Sequence, residues 1–209
     1  MLQLTNNWDV VWLKTPKWIY EKSWERHHNK VFSIYQEFFS KLKIKNPKII
    51  ELGCGSGEIT ARLIKMYGGS ATLVDNSKEA ISLTSKNFKK YKIKAKIIQK
   101  DLFKFKPQEK FDIVHSEGLI EHFLGERQKK IIEVHKKCVK KDGFIIISVP
   151  RPVWYYKIAK WLLEKVNKWP FGFEHAINSY ELKEILENNG LRVLESVNRF
   201  RYAFALAKT

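Results

Sequence analysis

The 209-residue chain carries 39 lysines and arginines against 22 aspartates and glutamates, a formal charge of +17. Its 44% hydrophobic fraction excludes intrinsic disorder, and no apolar run approaches the ~18 residues of a membrane span. The opening MLQLTNNWDVVWLK lacks the basic start and apolar core of a signal peptide, and the distant Cys54 and Cys138 suggest no disulfide framework, so a single cytoplasmic domain is expected.

Residues 1–45 read as helical and aromatic, with Trp8, Trp12, Trp18 and Trp24. From Lys48 the pattern changes. KIIELGC (48–54) is a short β-branched run, followed by residues 57–67, where Ile59, Leu63, Ile64 and Tyr67 recur at helical spacing. SATLVDN (70–76) is a second run, followed by a helix over 78–90. AKIIQKD (95–101) is the third, FDIVHSEG (111–118) the fourth, then a helix around 126–140 and a fifth run, GFIIISVP (143–150). This alternation gives right-handed crossovers and a parallel sheet with helices on both faces. FIIIS has no polar alternation, as a strand covered on both faces requires. A helix over 179–189 stops at Gly190, and the two runs after it, LRVLESVN and RYAFALAKT, are joined too tightly for a crossover. They must form an antiparallel hairpin. The expected fold is α/β: a three-layer αβα, Rossmann-like, seven-stranded and mostly parallel sheet with an antiparallel C-terminal strand.

Of the basic residues 32 are lysines and seven arginines. Ten lysines lie from Lys86 to Lys110, against only Asp101 and Glu109, and several fall on the third strand. We place that strand at a sheet edge, where lysine guards against edge-to-edge pairing. Nucleic-acid binders favour arginine, so a solvated basic surface is the expected reading. The alternatives are an anionic partner: nucleic acid, an anionic membrane or a phosphorylated metabolite.

All seven tryptophans lie in two segments, four in 8–24 and three (Trp154, Trp161, Trp169) in 154–169. The second begins at the C-terminal edge of the fifth strand, where ligands of open α/β sheets bind. The pattern fits a cap over that edge, and equally satellite clusters under surface helices.

Residues 51–57, Glu-Leu-Gly-Cys-Gly-Ser-Gly, join the first strand to its helix. Glycines there permit a tight turn and close approach of backbone to a ligand. Their spacing is not that of the dinucleotide fingerprint, whose third glycine would fall at Glu58. Asp75 ends the second strand, where a carboxylate accepts hydrogen bonds from ribose hydroxyls, and Asp101 ends the third, followed by Leu102. Each alone is also an ordinary turn residue; the ordered series is the signal.

The sequence here resembles the class I S-adenosylmethionine-dependent methyltransferases over about residues 45–209. ELGCGSGEIT is similar to that family's first motif, LVDNS to its second, QKDLF to its third and FDIVHSEGLIEHF to its fourth. HAINSYELKEILENNGLRVLE resembles the branch that methylates small molecules, including lipid-like acceptors. The resemblance implies S-adenosylmethionine as cofactor, with S-adenosylhomocysteine as its product. It implies that Glu51, Gly53, Cys54, Gly55 and Gly57 surround the methionine part. Asp75 and Asn76 would meet the ribose, Asp101 and Leu102 the adenine, and Ser116 and Glu117 the sulfonium. Residues 1–45 would then be a cap, 46–150 the cofactor-binding core, 151–177 a helical aromatic insertion and 178–209 the C-terminal helix and hairpin.

A hydroxyl acceptor must lose a proton, for which His122 and His175 are the candidate bases, each equally readable as a structural histidine. Cys54 has no flanking cysteine or histidine to activate it, and the six histidines show no ligand spacing, so no metal is expected. In the insertion, Trp154, Ile158, Trp161, Leu162 and Lys165 share one helical face, and Lys157, Lys160, Glu164 and Lys168 an opposite polar one. A lid that covers a small, lipid-like or anionic acceptor and rests on an anionic membrane fits this pattern, as does a helix packed on the sheet. An RNA methyltransferase and a cofactor-binding scaffold without turnover are the other functions carried forward.

Overall fold

A computed structural model describes residues 8–9, 25–166, 169 and 172–209. Trp12, Trp18 and Trp24 lie outside the described residues, as do 167–168 and 170–171 of the insertion. In chain order the first elements are α1 (Glu25–Leu42), β1 (Lys48–Leu52), α2 (Glu58–Tyr67), β2 (Ser70–Asp75), α3 (Lys78–Tyr91) and β3 (Lys96–Gln99). They are followed by β4 (Phe111–Glu117), α4 (Glu126–Cys138), β5 (Val139–Pro150), α5 (Trp154–Lys165), α6 (Ser179–Asn188), β6 (Arg192–Arg199) and β7 (Tyr202–Lys208).

The sheet runs β3-β2-β1-β4-β5-β7-β6, with β3 at one edge as its lysines predict. Strands β1 to β5 pair in parallel, and β7 is antiparallel to both β5 and β6. Successive strand residues point to opposite sides, and each side is covered. Ile49, Ile113 and Ile146 pack with Val31, Phe38 and Phe39 of α1 and with α2 and α3. Ile50, Val114, Ile145 and Ile147 pack with Ile131 and Ile132 of α4 and with Leu182 and Leu186 of α6. Each such aliphatic side chain contributes roughly 1.5–3 kcal/mol on burial. That double burial is the physical reason these strands read as unbroken apolar runs.

Gly190, at φ +76°, terminates α6 in a Schellman turn: Leu191 N–H donates to Leu186 O (3.1 Å) and Gly190 N–H to Glu187 O (2.9 Å). Two departures from the sequence reading matter. Strand β5 starts at Val139 rather than 143, because Val139 pairs with Phe111 before a register shift and Phe144 resumes with Ile113. Gly143 sits in that bulge, where a Cβ would lie 2.9 Å from the carbonyl oxygens of Phe111 and Asp112. Lys160, expected on the outward polar face of α5, turns inward and donates to the Glu174 carbonyl (2.5 Å).

The chain passes from β1 to β2 and β3 on one side, then returns to β4 on the other. Strand order therefore reverses between β1 and β4, and a crevice opens at their C-terminal ends.

Candidate functional site

That crevice is a cleft of about 960 Å³. Its floor is the turn from β1 to α2. Gly53 and Gly55 adopt φ +68° and +50°, a conformation that costs residues with a Cβ. Gly55 N–H donates to Asp75 Oδ2 and Ser77 N–H to Asp75 Oδ1, both at 2.9 Å. Asp75 thus fastens the glycine turn to the start of α3, and it lines the cleft. Burial pushes its carboxyl up, against the pull of those amides. Asp101 works similarly: its Oδ1 accepts from Phe103 N–H (2.9 Å) and caps the single turn Leu102–Lys104. Phe103 meets Phe123 edge-on at 5.3 Å between ring centroids, giving this end an aromatic wall.

Glu51 closes the floor near β4. A directional file of hydrogen bonds runs to it through the interior. Tyr35 O–H meets His115 Nδ1 (3.2 Å), His115 Nε2 meets Thr60 Oγ1 (2.7 Å), and Thr60 O–H donates to Glu51 Oε2 (2.7 Å). Because Thr60 gives its only proton to Glu51, His115 must carry its hydrogen on Nε2 and accept from Tyr35. Burial lowers His115 to about 3, so it is neutral, and holds the Glu51 carboxyl well above the usual range.

The opposite end has a different make-up. Glu117, at the end of β4, meets His27 Nε2 of α1 at 2.6 Å. Tyr202 of β7 lies 4.9 Å from the His27 ring, and Tyr155 and Tyr156 of α5 line the same space. Tyr156 O–H donates to Glu174 Oε1 (2.7 Å), and Trp8 packs edge-on against His122 at 4.7 Å.

Of the residues singled out from the sequence, Glu51, Gly53, Cys54, Gly55, Asp75, Asn76, Asp101, Leu102, Glu117 and His122 line this one cleft. Three do not. Gly57 faces α3, where a Cβ would meet Thr84 Cγ2 at 2.9 Å. Ser116 is fully buried on the α4 side, its hydroxyl 3.0 Å from His135 Nε2. His175 lies outside the cleft, its ring half-exposed and 2.9 Å from Glu181 Oε1. His122 donates from Nδ1 to the Phe173 carbonyl (2.7 Å), which leaves Nε2 as an acceptor. Burial lowers it to about 4, so it is neutral at physiological pH. The Cys54 thiol is pushed well up by burial, the opposite of an activated nucleophile. Trp8 and Trp169, one from each tryptophan-rich segment, both reach the cleft, whereas Trp154 and Trp161 are exposed outside it.

Sequence reasoning missed His27, Glu121, Arg201 and Tyr202. His27 meets Glu117 across 90 positions, and nothing local marks such a contact.

A family model described as a methyltransferase domain matches residues 43–190. The chain belongs to this methyltransferase family. The match agrees with the resemblance of its four motifs to the class I methyltransferases. The ubiquinone biosynthesis O-methyltransferase of Pelagibacter ubique is 28% identical over 155 residues, which cover 71% of this chain and 62% of that one. The chain spans less than two thirds of the length of the curated relatives it matches. Among solved structures, an S-adenosylmethionine-dependent methyltransferase from Clostridium acetobutylicum superposes with a TM-score of 0.70 at 16% identity, covering 91% of this chain and 96% of that one. The magnesium protoporphyrin IX methyltransferase of Synechocystis, solved with S-adenosylhomocysteine bound, gives 0.68 at 16% identity and covers 88% and 83%. At these identities the likeness shows the fold.

Proposed function

We propose that this methyltransferase domain transfers the methyl group of S-adenosylmethionine to a small, partly apolar acceptor. The observation that carries the reading is one cleft in which Asp75, at the end of β2, and Asp101, in the loop after β3, are continuous with a tyrosine-lined chamber at Glu117. The donor set suits the cofactor. Asp75 lines the cleft as an acceptor for ribose hydroxyls, Asp101 and Leu102 flank an adenine-sized space walled by Phe103 and Phe123, and the Gly53–Gly55 turn brings main chain to the floor beside Glu51. When bound, the cofactor supplies a methyl carbon already activated by the adjoining sulfonium. The chain's own task is orientation: the glycine turn and strand ends fix one reactant, and Tyr156, Tyr202 and the α5 side of the cleft place the other in line with it. Small-molecule acceptors also appear in the names of two similar proteins, ubiquinone biosynthesis and magnesium protoporphyrin IX.

Among the described residues, little of the chain's basic charge lines the cleft. Seven acidic side chains among the described residues line it (Glu51, Glu58, Asp75, Asp101, Glu117, Glu121, Glu174) against two arginines (Arg127, Arg201) and no lysine. This lining disfavours an RNA strand and an anionic acceptor alike, since like charges in a low-dielectric cleft repel. Calorimetric titration with S-adenosylhomocysteine tests the reading. Saturable binding is expected, and a folded protein that binds none overturns it. Binding without turnover across an acceptor screen would instead favour the scaffold.

A second reading concerns the surface. No residue of α5 is buried, and Trp154, Ile158, Trp161 and Leu162 are each at least half exposed beside Lys157 and Lys165. This basic, tryptophan-rich face favours contact with an anionic membrane surface next to the cleft mouth. No helix among the described residues is long and apolar enough to cross a membrane.

A further inference from the structure

Three carboxylates converge at the acceptor end of the cleft, and two of them are provided for. Glu117 has His27 Nε2 at 2.6 Å. Glu174 accepts from Tyr156 O–H, with Lys160 and Arg201 both close enough to favour its charge. Glu121, in the turn after β4, has no side-chain hydrogen-bond partner among the described residues, only its own main chain. It is 1% exposed, and its Oε2 makes no hydrogen bond among the described residues. Its other oxygen lies 3.6 Å from His122 Nε2, beyond a hydrogen bond, and that histidine is neutral. Burial above all, then Glu174 and Glu117, push the Glu121 carboxyl well upward. A buried carboxylate oxygen without a donor costs free energy that a ligand can recover. The surrounding walls, Tyr155, Tyr156, Tyr202 and Phe173, are aromatic, which also suits a cation.

We propose that the acceptor carries an amine, whose N–H groups satisfy Glu121 and whose nitrogen receives the methyl group. The inference deepens the proposed function and rests on it. An ammonium carries up to three donors and a positive charge, matching an unpartnered oxygen set between two further carboxylates. The charge of a bound ammonium draws the Glu121 carboxyl into its ionised form, its own proton leaving to solvent, and Glu121 would then take one N–H proton, freeing the nitrogen lone pair. The lone pair forms the N–C bond as the C–S bond of the methyl donor breaks, and that electron pair stays on sulfur. The methylated nitrogen carries the resulting positive charge, and the proton on Glu121 passes to solvent when the cleft opens.

Three probes of one skeleton separate the alternatives: 2-phenylethylamine, 2-phenylethanol and 3-phenylpropionate, each titrated calorimetrically into the full chain saturated with S-adenosylhomocysteine. The affinity for S-adenosylhomocysteine is measured first in every protein, so a failed cofactor site is told apart from a failed acceptor inference. The amine is expected to bind at least about tenfold more tightly than either isostere. Glu121→Gln, which keeps size but removes charge, should abolish that preference, and Glu121→Asp should retain part of it. Equal or tighter binding of the alcohol or the carboxylate overturns the inference. So does binding of none of the three, or an undiminished amine preference in Glu121→Gln.

Discussion

His27 Nε2 and Glu117 Oε1 stand 2.6 Å apart, joining α1 to the end of β4 on the wall of the cleft. Both side chains are mostly buried, so the pair is shielded from the screening that weakens surface ion pairs. A double-mutant cycle with His27→Asn and Glu117→Gln should give a coupling of about 1–3 kcal/mol in urea unfolding. Strict additivity would show that the pair contributes nothing to holding α1 in place.

Asp75 has two tasks, and its replacement should reveal both. Asp75→Asn keeps one acceptor oxygen and loses the other, so either the Gly55 or the Ser77 amide is left unpaired. Stability should fall by about 1–3 kcal/mol, and S-adenosylhomocysteine affinity should fall by about tenfold or more. Calorimetry and urea unfolding read the two losses separately. Unchanged affinity would place the ribose elsewhere.

The pH profile of turnover tests His122. As burial lowers it to about 4, any limb it governs lies near that pH rather than near neutrality. Profiles of the wild type and His122→Gln should therefore run parallel between about pH 6 and 9. A limb near neutrality that disappears in the variant would make His122 a base in spite of its burial.

His115 makes the fold acid-sensitive. It is neutral in the fold, with its pKa lowered from 6.5 to about 3. A histidine whose folded pKa is depressed contributes stability above pH 6.5, and that contribution is lost as pH falls towards about 3. The slope approaches about 1.4 kcal/mol per pH unit, so about 2 kcal/mol disappears between pH 6.5 and 5 from this residue alone. His115→Gln should be less stable at neutral pH but show a shallower acid limb in urea unfolding at pH 7 and 5. Equal slopes would mean that His115 titrates normally.

The exposed face of α5 gives a binding prediction. The protein should cosediment with vesicles containing anionic phospholipid, less with zwitterionic ones, and less as salt rises. Trp154→Glu combined with Trp161→Glu should abolish this without changing S-adenosylhomocysteine affinity, because neither tryptophan lines the cleft. No cosedimentation by the wild type would remove the membrane reading.

What the sequence revealed follows the range of the interactions involved. Asp75 and Asp101 are legible because their work is local: Asp75 ends β2, Asp101 lies two residues beyond β3, and each accepts a main-chain N–H of the turn that follows. The buried strands are legible because two covered faces leave continuous apolar runs. The start of β5 is not, since KKDG reads as a turn until Phe111 supplies the partner for Val139. Lys160 reads as a solvent-facing lysine on the helical wheel, yet the Glu174 carbonyl, 14 residues away, draws it inward. Glu121 looks like any acid in a turn, and only the folded chain sets it between Glu117 and Glu174.

The two ends of the cleft differ in how they can be rebuilt. Asp75, which we propose meets the ribose, also clamps the backbone, so it cannot be exchanged without loosening the turn it fastens. At the other end the side chains come from α1, the end of β4 and the turn after it, α5, the segment before α6, and β7, which are distant in sequence. Because no residue of α5 is buried, a foreign α5 could be grafted to reshape the acceptor wall while leaving Asp75 and Glu121 in place, whereas β7, inside the sheet, could not be exchanged in this way. On the proposed reading, the parts buried in the sheet are fixed and the one exposed wall, α5, is replaceable, which suits this scaffold to retargeting by exchange of that single segment.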